Sequence, residues 1–170
     1  FNFDKISIEY YRDQAIAFEA FKAGNFDLFY DYMAKNWASS YNFPALKKGH
    51  VLKEEISHHI PSTTQGFFFN ARKALFNNIK VRQALSLMFD FEWTNKALFN
   101  QAYARNQSYF PNSDFAAHGL PSDEELALLE PFKSTLPPHL FSQAFTLSTT
   151  SGNGNIRKQT KQALTLLKEA

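Results

Sequence analysis

The part of this chain with the clearest chemical potential is a carboxylate between two phenol rings, Tyr30-Asp31-Tyr32. A carboxylate attracts a cationic group, and the faces of the tyrosine rings add cation–π attraction to the same cation. This spacing therefore predicts a position that receives a cationic group. A local interpretation is open beside it, in which Asp31 is a turn residue that caps the helix predicted to follow.

Motifs for catalysis or cofactor binding are absent from the sequence. It contains no G-x-S-x-G, Walker A or H-E-x-x-H pattern, and no cysteine that could act as a nucleophile or thiolate ligand. Gly152-Asn153-Gly154 lacks the third glycine of a dinucleotide-binding turn and follows no predicted strand. His58-His59 lies on a predicted strand, where adjacent side chains point to opposite faces and cannot hold one metal ion. The sequence therefore assigns no catalytic residue, no metal ligand and no cofactor.

Length, charge and composition exclude further classes of protein. The chain has 170 residues, enough for one domain or two small ones, and is 44% hydrophobic and 20% charged, as is ordinary for globular proteins. Its net charge of +2 does not fit a nucleic-acid partner. Apolar runs are short, such as residues 66–69, so no segment is predicted to span a membrane. The unusual feature is an aromatic content of 16%, which predicts rings that fill a core or line a binding surface.

The elements that position Asp31 are predicted from the sequence around it. Alternating apolar and polar side chains over residues 3–10 predict a half-buried strand. Asp13 is a typical helix N-cap, residues 15–23 are rich in helix formers, and Gly24 is a typical C-terminal stop. Because residues 25–30 return to a strand pattern, the first 32 residues are predicted as strand–helix–strand.

Apolar spacing predicts the buried faces of two helices. Both predictions rest on the repeat of three to four residues that places side chains on one helix face. The face of the first helix comprises Ile16, Ala20 and Ala23, broadened by Phe18 and Phe21. The face of a helix over residues 80–89 comprises Val81, Ala84, Leu85 and Met88.

The rest of the chain alternates predicted helices with loops. Asp90 is the predicted N-cap of one helix, and a capping box at Ser122 begins another. Residues 105–119 are predicted as an irregular loop and residues 146–155 as a mobile one. The predicted elements are a short helix over 34–46, strands over 51–60 and 66–70, and helices over 80–89, 92–101, 122–130 and 156–170.

The order of several segments carries a family resemblance. Residues 17–27 read A-F-E-A-F-K-A-G-N-F-D, residues 66–70 read G-F-F-F-N, and residues 81–90 read V-R-Q-A-L-S-L-M-F-D. In this order they resemble the family 5 solute-binding proteins of ABC importers, which include oligopeptide- and dipeptide-binding proteins. The YejA-type branch is the most similar, and the resemblance covers nearly the whole chain as an internal fragment of a longer protein.

The resemblance implies an α/β fold, as a fragment of a two-lobed periplasmic-binding-protein (type II) fold with a mixed sheet and flanking helices. Residues 1–65 are then predicted as part of the first lobe, with a strand–helix–strand unit and a further strand. Residues 66–72 are predicted as a strand that crosses the hinge, and residues 73–170 as the helical start of the other lobe.

The resemblance also implies which residues face a ligand. In the family, residues shortly after the G-x-x-D pattern and residues on the x-F-N strand line the cleft. The implied ligand-binding residues of this chain are Tyr30, Asp31, Tyr32, Phe68 and Asn70, with Phe67 and Phe69 on the opposite, core-facing side of the strand.

The implied function is non-catalytic binding. The protein is expected to capture a peptide or peptide-like solute and to deliver it to the membrane subunits of an ABC importer. The expected location is the periplasm, or the outer cell surface in association with the membrane, and no nucleic-acid partner is expected. Two alternatives remain on the residues alone: an α/β enzyme with an unrecognised active site in a cleft, and an aromatic-rich protein-interaction domain.

Overall fold

The computed structural model describes residues 2–170, so Phe1, the first residue of the predicted lobe segment, lies outside the described part. The chain divides into two compact units, one that ends at Ile56 and one over Ser57–Ala170. The lobe boundaries predicted at residues 65 and 72 stay predictions.

The α-helices are α1 (Gln14–Lys22), α2 (Ala34–Ser39), α3 (Pro44–Lys47), α4 (Ala74–Asn77), α5 (Ile79–Leu87), α6 (Phe91–Leu98), α7 (Asp123–Leu129) and α8 (Arg157–Lys168), with short 3-10 helices at Glu130–Phe132 and Pro138–Phe141.

The predicted mixed sheet is wrong for this chain. Residues 2–170 contain helices, turns and irregular segments but no β-strand. A strand is held by a ladder of backbone hydrogen bonds to a neighbouring strand, and the four predicted strand segments make no such ladder with any described residue. The side chains of Ile6 and Ile8, which the alternation placed on a covered face, are exposed. Alternation of apolar and polar residues identifies side chains that would lie on one face of a strand. It does not show that a second strand is present to pair with the first.

Helix α1 begins and ends where the sequence predicted. The Asp13 carboxylate accepts a hydrogen bond from the backbone N–H of Ala15 at 2.7 Å, which satisfies one unpaired donor of the first turn. At the other end Gly24 has a φ of +80°, the left-handed conformation that closes a helix. The predicted buried face is right for Phe18 and Phe21, which are buried, and wrong for Ile16, which is 58% exposed, and for Ala23, which is also exposed.

Aromatic rings form the core of the first unit. Phe18, Phe21 and Phe43 are buried, and half-buried rings, including those of Phe29 and Tyr41, pack against them. The Phe18 ring lies 5.1 Å from that of Tyr41 and 5.8 Å from that of Phe29. Tilted and edge-to-face arrangements at these distances add attraction beyond the burial of apolar area. Part of the high aromatic content therefore holds this unit together.

The single helix predicted over residues 34–46 is two helices. Helix α2 ends at Ser39, and α3 starts at Pro44 with its proline in the first turn. Proline has no N–H to donate and disfavours a helical conformation in the residue before it. Phe43 is accordingly extended, with φ −122° and ψ 161°. This extended residue places its ring in the aromatic core.

Two helices distant in sequence, α5 and α8, pack together in the second unit. Val81 and Ala84 are the buried residues of α5, and Ala163 is the buried apolar residue of α8. Small side chains allow the two helices to approach closely. The predicted α5 face is therefore half right, since Leu85 and Met88 are exposed.

Side-chain caps define two other helices as predicted. The Asp90 carboxylate accepts a hydrogen bond from the Trp93 N–H at 3.1 Å and begins α6. Ser122 and Glu125 form a reciprocal capping box at the start of α7, at 3.3 and 2.7 Å. Backbone N–H groups of a first turn lack partners within the helix, so these local patterns are reliable signals in sequence.

The loop over residues 146–155 is irregular, and hydrogen bonds attach it to α6. The Thr150 hydroxyl lies 2.5 Å from Asp90 Oδ1 and 3.2 Å from Glu92 Oε2, and the Thr150 N–H donates to Glu92 Oε2 at 3.0 Å. Gly154 follows with a φ of +77°, and a β-carbon built on it would lie 3.3 Å from the Trp93 ring. The loop therefore lies close against the first turn of α6.

We expect Phe18→Ala to destabilise the first unit by about 3–5 kcal/mol, because it leaves a cavity among the packed rings. Phe3→Ala is the matched control, since Phe3 is 75% exposed and Phe18 only 4%; we expect it to cost no more than about 0.5 kcal/mol. Urea unfolding followed by Trp37 emission in a Trp93→Phe background measures the unit that contains both sites. Equal losses in the two variants would show that ring packing does not hold the unit.

Gly154→Ala tests the close approach of the loop to α6. Both Gly154 and Gly119 have a positive φ, but a β-carbon on Gly119 would meet nothing within 4 Å. We expect about 1 kcal/mol of backbone strain in each alanine variant. Only Gly154→Ala should also shift the emission of Trp93, measured in a Trp37→Phe background. Unchanged emission in that variant would contradict the packing of Gly154 on the indole ring.

Candidate functional site

The Asp31 carboxylate is engaged by two donors within the first unit. Its Oδ1 accepts a hydrogen bond from the Met33 N–H at 2.9 Å, and its Oδ2 accepts one from the Tyr41 hydroxyl at 3.1 Å. The first bond closes a turn just before α2, although the N-cap residue of that helix is Met33, without a side-chain cap. The local interpretation of Asp31 as a turn residue fits this geometry. The carboxylate also stabilises the position of a phenol ten residues away.

The Tyr41 hydroxyl donates a hydrogen bond to Asp31. Burial of the ring raises the pKa of Tyr41 well above its ordinary value, and the Asp31 charge and the hydrogen bond to it raise it further. The phenol is therefore neutral at physiological pH and keeps its proton directed at the carboxylate. This pairing leaves Asp31 with part of its acceptor capacity already used.

A cation does rest on aromatic rings in this unit, but it belongs to the chain. Lys53 Nζ lies 4.2 Å from the centroid of the Trp37 ring and 5.0 Å from that of the Tyr41 ring, and it donates to the Trp37 carbonyl at 2.5 Å. The indole N–H of Trp37 donates to Glu55 Oε1 at 2.8 Å. We call Trp37, Tyr41, Lys53 and Glu55 the lysine–aromatic cluster. It holds residues 53–55 against the end of α2.

The sequence does not predict the lysine–aromatic cluster. Trp37 and Tyr41 are four residues apart, a spacing that signals proximity, but nothing local indicates that Lys53 returns to them across 16 residues. The rings predicted to receive a cation, those of Tyr30 and Tyr32, are 78% and 60% exposed. Neither forms a side-chain hydrogen bond with another residue in the range 2–170.

The other two predicted site residues belong to the second unit. Phe68 is 71% exposed. The side chain of Asn70 accepts a hydrogen bond from the Arg72 N–H at 3.2 Å, in a turn where a strand was predicted. Of the two residues predicted to face the core, Phe69 packs against Phe76 at 5.4 Å. The prediction is wrong for Phe67, which meets the edge of another ring but is itself exposed. Phe68 thus presents a ring to solvent while Phe69 packs inward.

Two surface cavities of the described chain lie away from the five predicted residues. One, of about 420 Å³, is lined by Leu87 of α5 and by residues of α8 that include Lys161 and Leu166. The other, of about 300 Å³, is lined by His59, His118 and a stretch of loop near Asn112.

No group of three or more histidine, aspartate or glutamate side chains is arranged to hold a metal ion in residues 2–170. His58 Nδ1 accepts a hydrogen bond from the Ile60 N–H at 3.2 Å. Among the same residues no helix combines the length and the hydropathy needed to cross a bilayer.

We expect Asp31→Asn to lower the pKa of Tyr41 toward 10.0 without restoring it fully, because burial, the largest cause of the shift, remains. The pKa of Tyr41 is higher in the folded protein than in the unfolded chain, so the neutral phenol stabilises the fold fully at a pH below the unfolded pKa. This contribution to the free energy of unfolding is lost as the pH rises through the folded pKa. Phenolate absorbance during alkaline titration measures the shift, and Tyr41→Phe identifies the late-ionising group. Asp27→Asn, which removes an exposed carboxylate nearby in sequence, is the matched control; an equal effect there would contradict the specific pairing.

Comparison with known proteins supplies the family. The family described as "Bacterial extracellular solute-binding proteins, family 5 Middle" matches residues 1–170. The uncharacterized protein YejA of Escherichia coli K12 is 43% identical over 169 residues, which cover 99% of this chain and 28% of that protein. In Agrobacterium fabrum, a peptidoglycan-binding protein YepA is 39% identical over 177 residues, covering 99% of this chain and 29% of that protein. A probable peptide-binding protein YejA of the same organism is 35% identical over 171 residues, covering 99% and 28%.

The match extends along the whole chain, while the chain spans under a third of the length of these relatives. Two of the three names describe binding, one of a peptide and one of peptidoglycan, and neither describes a reaction. The resemblance carried by residues 17–27, 66–70 and 81–90 is confirmed. The chain belongs to the bacterial extracellular solute-binding proteins of family 5.

Proposed function

We propose that the protein is the solute-binding component of an ABC importer, which captures peptide-like solutes in a cleft between two lobes and delivers them to the membrane subunits. The observation that carries this proposal is the family match over all 170 residues, together with the peptide-binding name of one relative. In this role the protein acts in the periplasm, or outside the cell in association with the membrane, and it binds its solute without chemical change.

Peptides derived from peptidoglycan are a second class of solute. The name of the YepA relative, which is 39% identical, favours them. Both classes share a peptide backbone, free carboxylates and ammonium groups, so they place similar demands on a site. Testing peptides of both kinds separates the two.

The residues proposed to contact the solute are Tyr30, Asp31, Tyr32, Phe68 and Asn70. Exposed aromatic rings support this assignment, since Tyr30, Tyr32 and Phe68 keep most of their surface available to a ligand. Rings of this kind contribute large contact areas at low cost in side-chain entropy. Asp31 adds a negative charge, although its bonds to Met33 and Tyr41 compete with a ligand for it.

We expect the full-length protein to bind short peptides, detected as a change in tryptophan emission during titration with a mixed peptide library. Asp31→Asn, which keeps the size of the side chain, should weaken binding of a peptide with a free ammonium group by about tenfold or more, as loss of a charge-assisted hydrogen bond does. Asp27→Asn is the control for a charge change at an exposed position. Unchanged affinity in Asp31→Asn would remove Asp31 from the site.

Results other than those for Asp31 would contradict the proposed function itself. If no peptide changes the emission and the purified protein converts a substrate, the enzyme alternative replaces the binding one. If no peptide binds but a protein partner associates through the exposed rings, the protein-interaction domain replaces solute binding as the function. Peptide binding that persists without turnover supports the proposal.

A further inference from the structure

One arginine of the second unit, Arg105, is held on two aromatic rings. It follows α6 in an irregular loop and is half-buried. The carbon at the centre of its guanidinium group lies 5.6 Å from the centroid of the Phe89 ring and 5.7 Å from that of the Phe91 ring. Cation–π contacts at these distances hold the guanidinium group beside the two rings before any ligand arrives.

Most of the donors of Arg105 make no bond within the described chain. A guanidinium group carries five N–H donors in a fixed fork. Among residues 2–170 the side chain of Arg105 makes one hydrogen bond, from Nη1 to the Ser148 carbonyl at 3.1 Å. That bond orients the group and leaves the other donors available to an acceptor.

No carboxylate of residues 2–170 neutralises Arg105. Every ion pair within 4.0 Å in this range is made by a lysine, and none includes Arg105. The acidic side chains that flank the stacked rings, Asp90 and Glu92, are bonded to Thr150 instead. The charge of Arg105 is therefore available to an anion from outside the described residues.

Arg82 shows what a structural arginine looks like in the same unit. It is also half-buried, but its guanidinium group donates to two carbonyls, those of Phe76 and Asn77, at 2.5 and 2.9 Å. These bonds satisfy the end of α4, which has no other cap. Arg105 satisfies one loop carbonyl only, so its orientation on the rings is not explained by a capping role.

We propose that Arg105 is an anchor for a carboxylate group of the bound solute. The planar fork matches the two oxygens of a carboxylate and binds them with two parallel hydrogen bonds. Phe67, which is exposed and meets the edge of the Phe89 ring at 6.3 Å, provides an apolar surface beside the anchor. This assignment rests on the proposed function, because it names the group of a peptide-like solute that this part of the chain recognises.

The first test detects the anchor without requiring a peptide. Phenylglyoxal modifies accessible guanidinium groups, and peptide mass spectrometry of the full-length protein reads the rate at each arginine. The dicarboxylate glutarate should slow modification of Arg105 at least severalfold, while the neutral analogue glutaramide should not. Arg72, an exposed arginine in the same unit, is the internal control. Equal protection of both arginines, or none at Arg105, would overturn the proposal.

The second test compares peptides as free acids with the same peptides as C-terminal amides. We expect the free acids to bind the wild-type protein more tightly. Arg105→Gln should weaken the free acids by about ten- to hundredfold and leave the amides unchanged. Arg105→Lys keeps the charge but loses the planar fork, so its affinity for the free acids should lie between that of the wild-type protein and that of Arg105→Gln. Unchanged amide affinity shows that the variants are folded.

The two proposals fail in different ways. If acids and amides bind equally well, or if Arg105→Gln weakens both alike, the anchor is wrong and peptide binding stands. If neither form binds, the proposed function fails, and the glutarate experiment alone decides whether Arg105 binds a carboxylate.

Discussion

The hydrogen bonds of the Asp90 carboxylate connect the start of α6 to the loop over residues 146–155, and the surroundings of Arg105 depend on them. The carboxylate caps α6 through the Trp93 N–H and accepts the Thr150 hydroxyl from a loop 60 residues away. Asp90 also lies between Phe89 and Phe91 in the sequence, the two residues whose rings contact Arg105. One oxygen of this carboxylate, Oδ2, is buried without a hydrogen-bond partner among the described residues. Loss of Asp90 would therefore disturb a helix start, a loop and an arginine together.

Aromatic rings have different structural roles in the two units. In the first unit Phe18, Phe21 and Phe43 are buried and hold the unit together. In the second, the Phe89 and Phe91 rings carry a guanidinium group, and Phe68 is exposed. Composition alone indicates an excess of rings, but it does not divide them between core and surface. Contacts between residues far apart in sequence make that division.

Local chemistry was predictable from the sequence, and contacts over long separations were not. Asp13, Asp90 and Ser122 were predicted as caps because a capping side chain and its backbone donor lie within three residues of one another. The strands were predicted wrongly because alternation describes one segment, whereas a ladder requires two. Lys53 on the Trp37 ring was missed because a cation–π contact leaves no pattern in the sequence.

The position of Lys53 on Trp37 and Tyr41 also determines which molecules these rings can hold. A tethered ammonium group acts as an internal competitor whose effective concentration is on the order of millimolar. A free amine at micromolar concentration does not displace such a competitor unless it makes additional contacts elsewhere. On this basis a ligand that is anchored at several points competes with the lysine for the rings more effectively than a small dilute cation does.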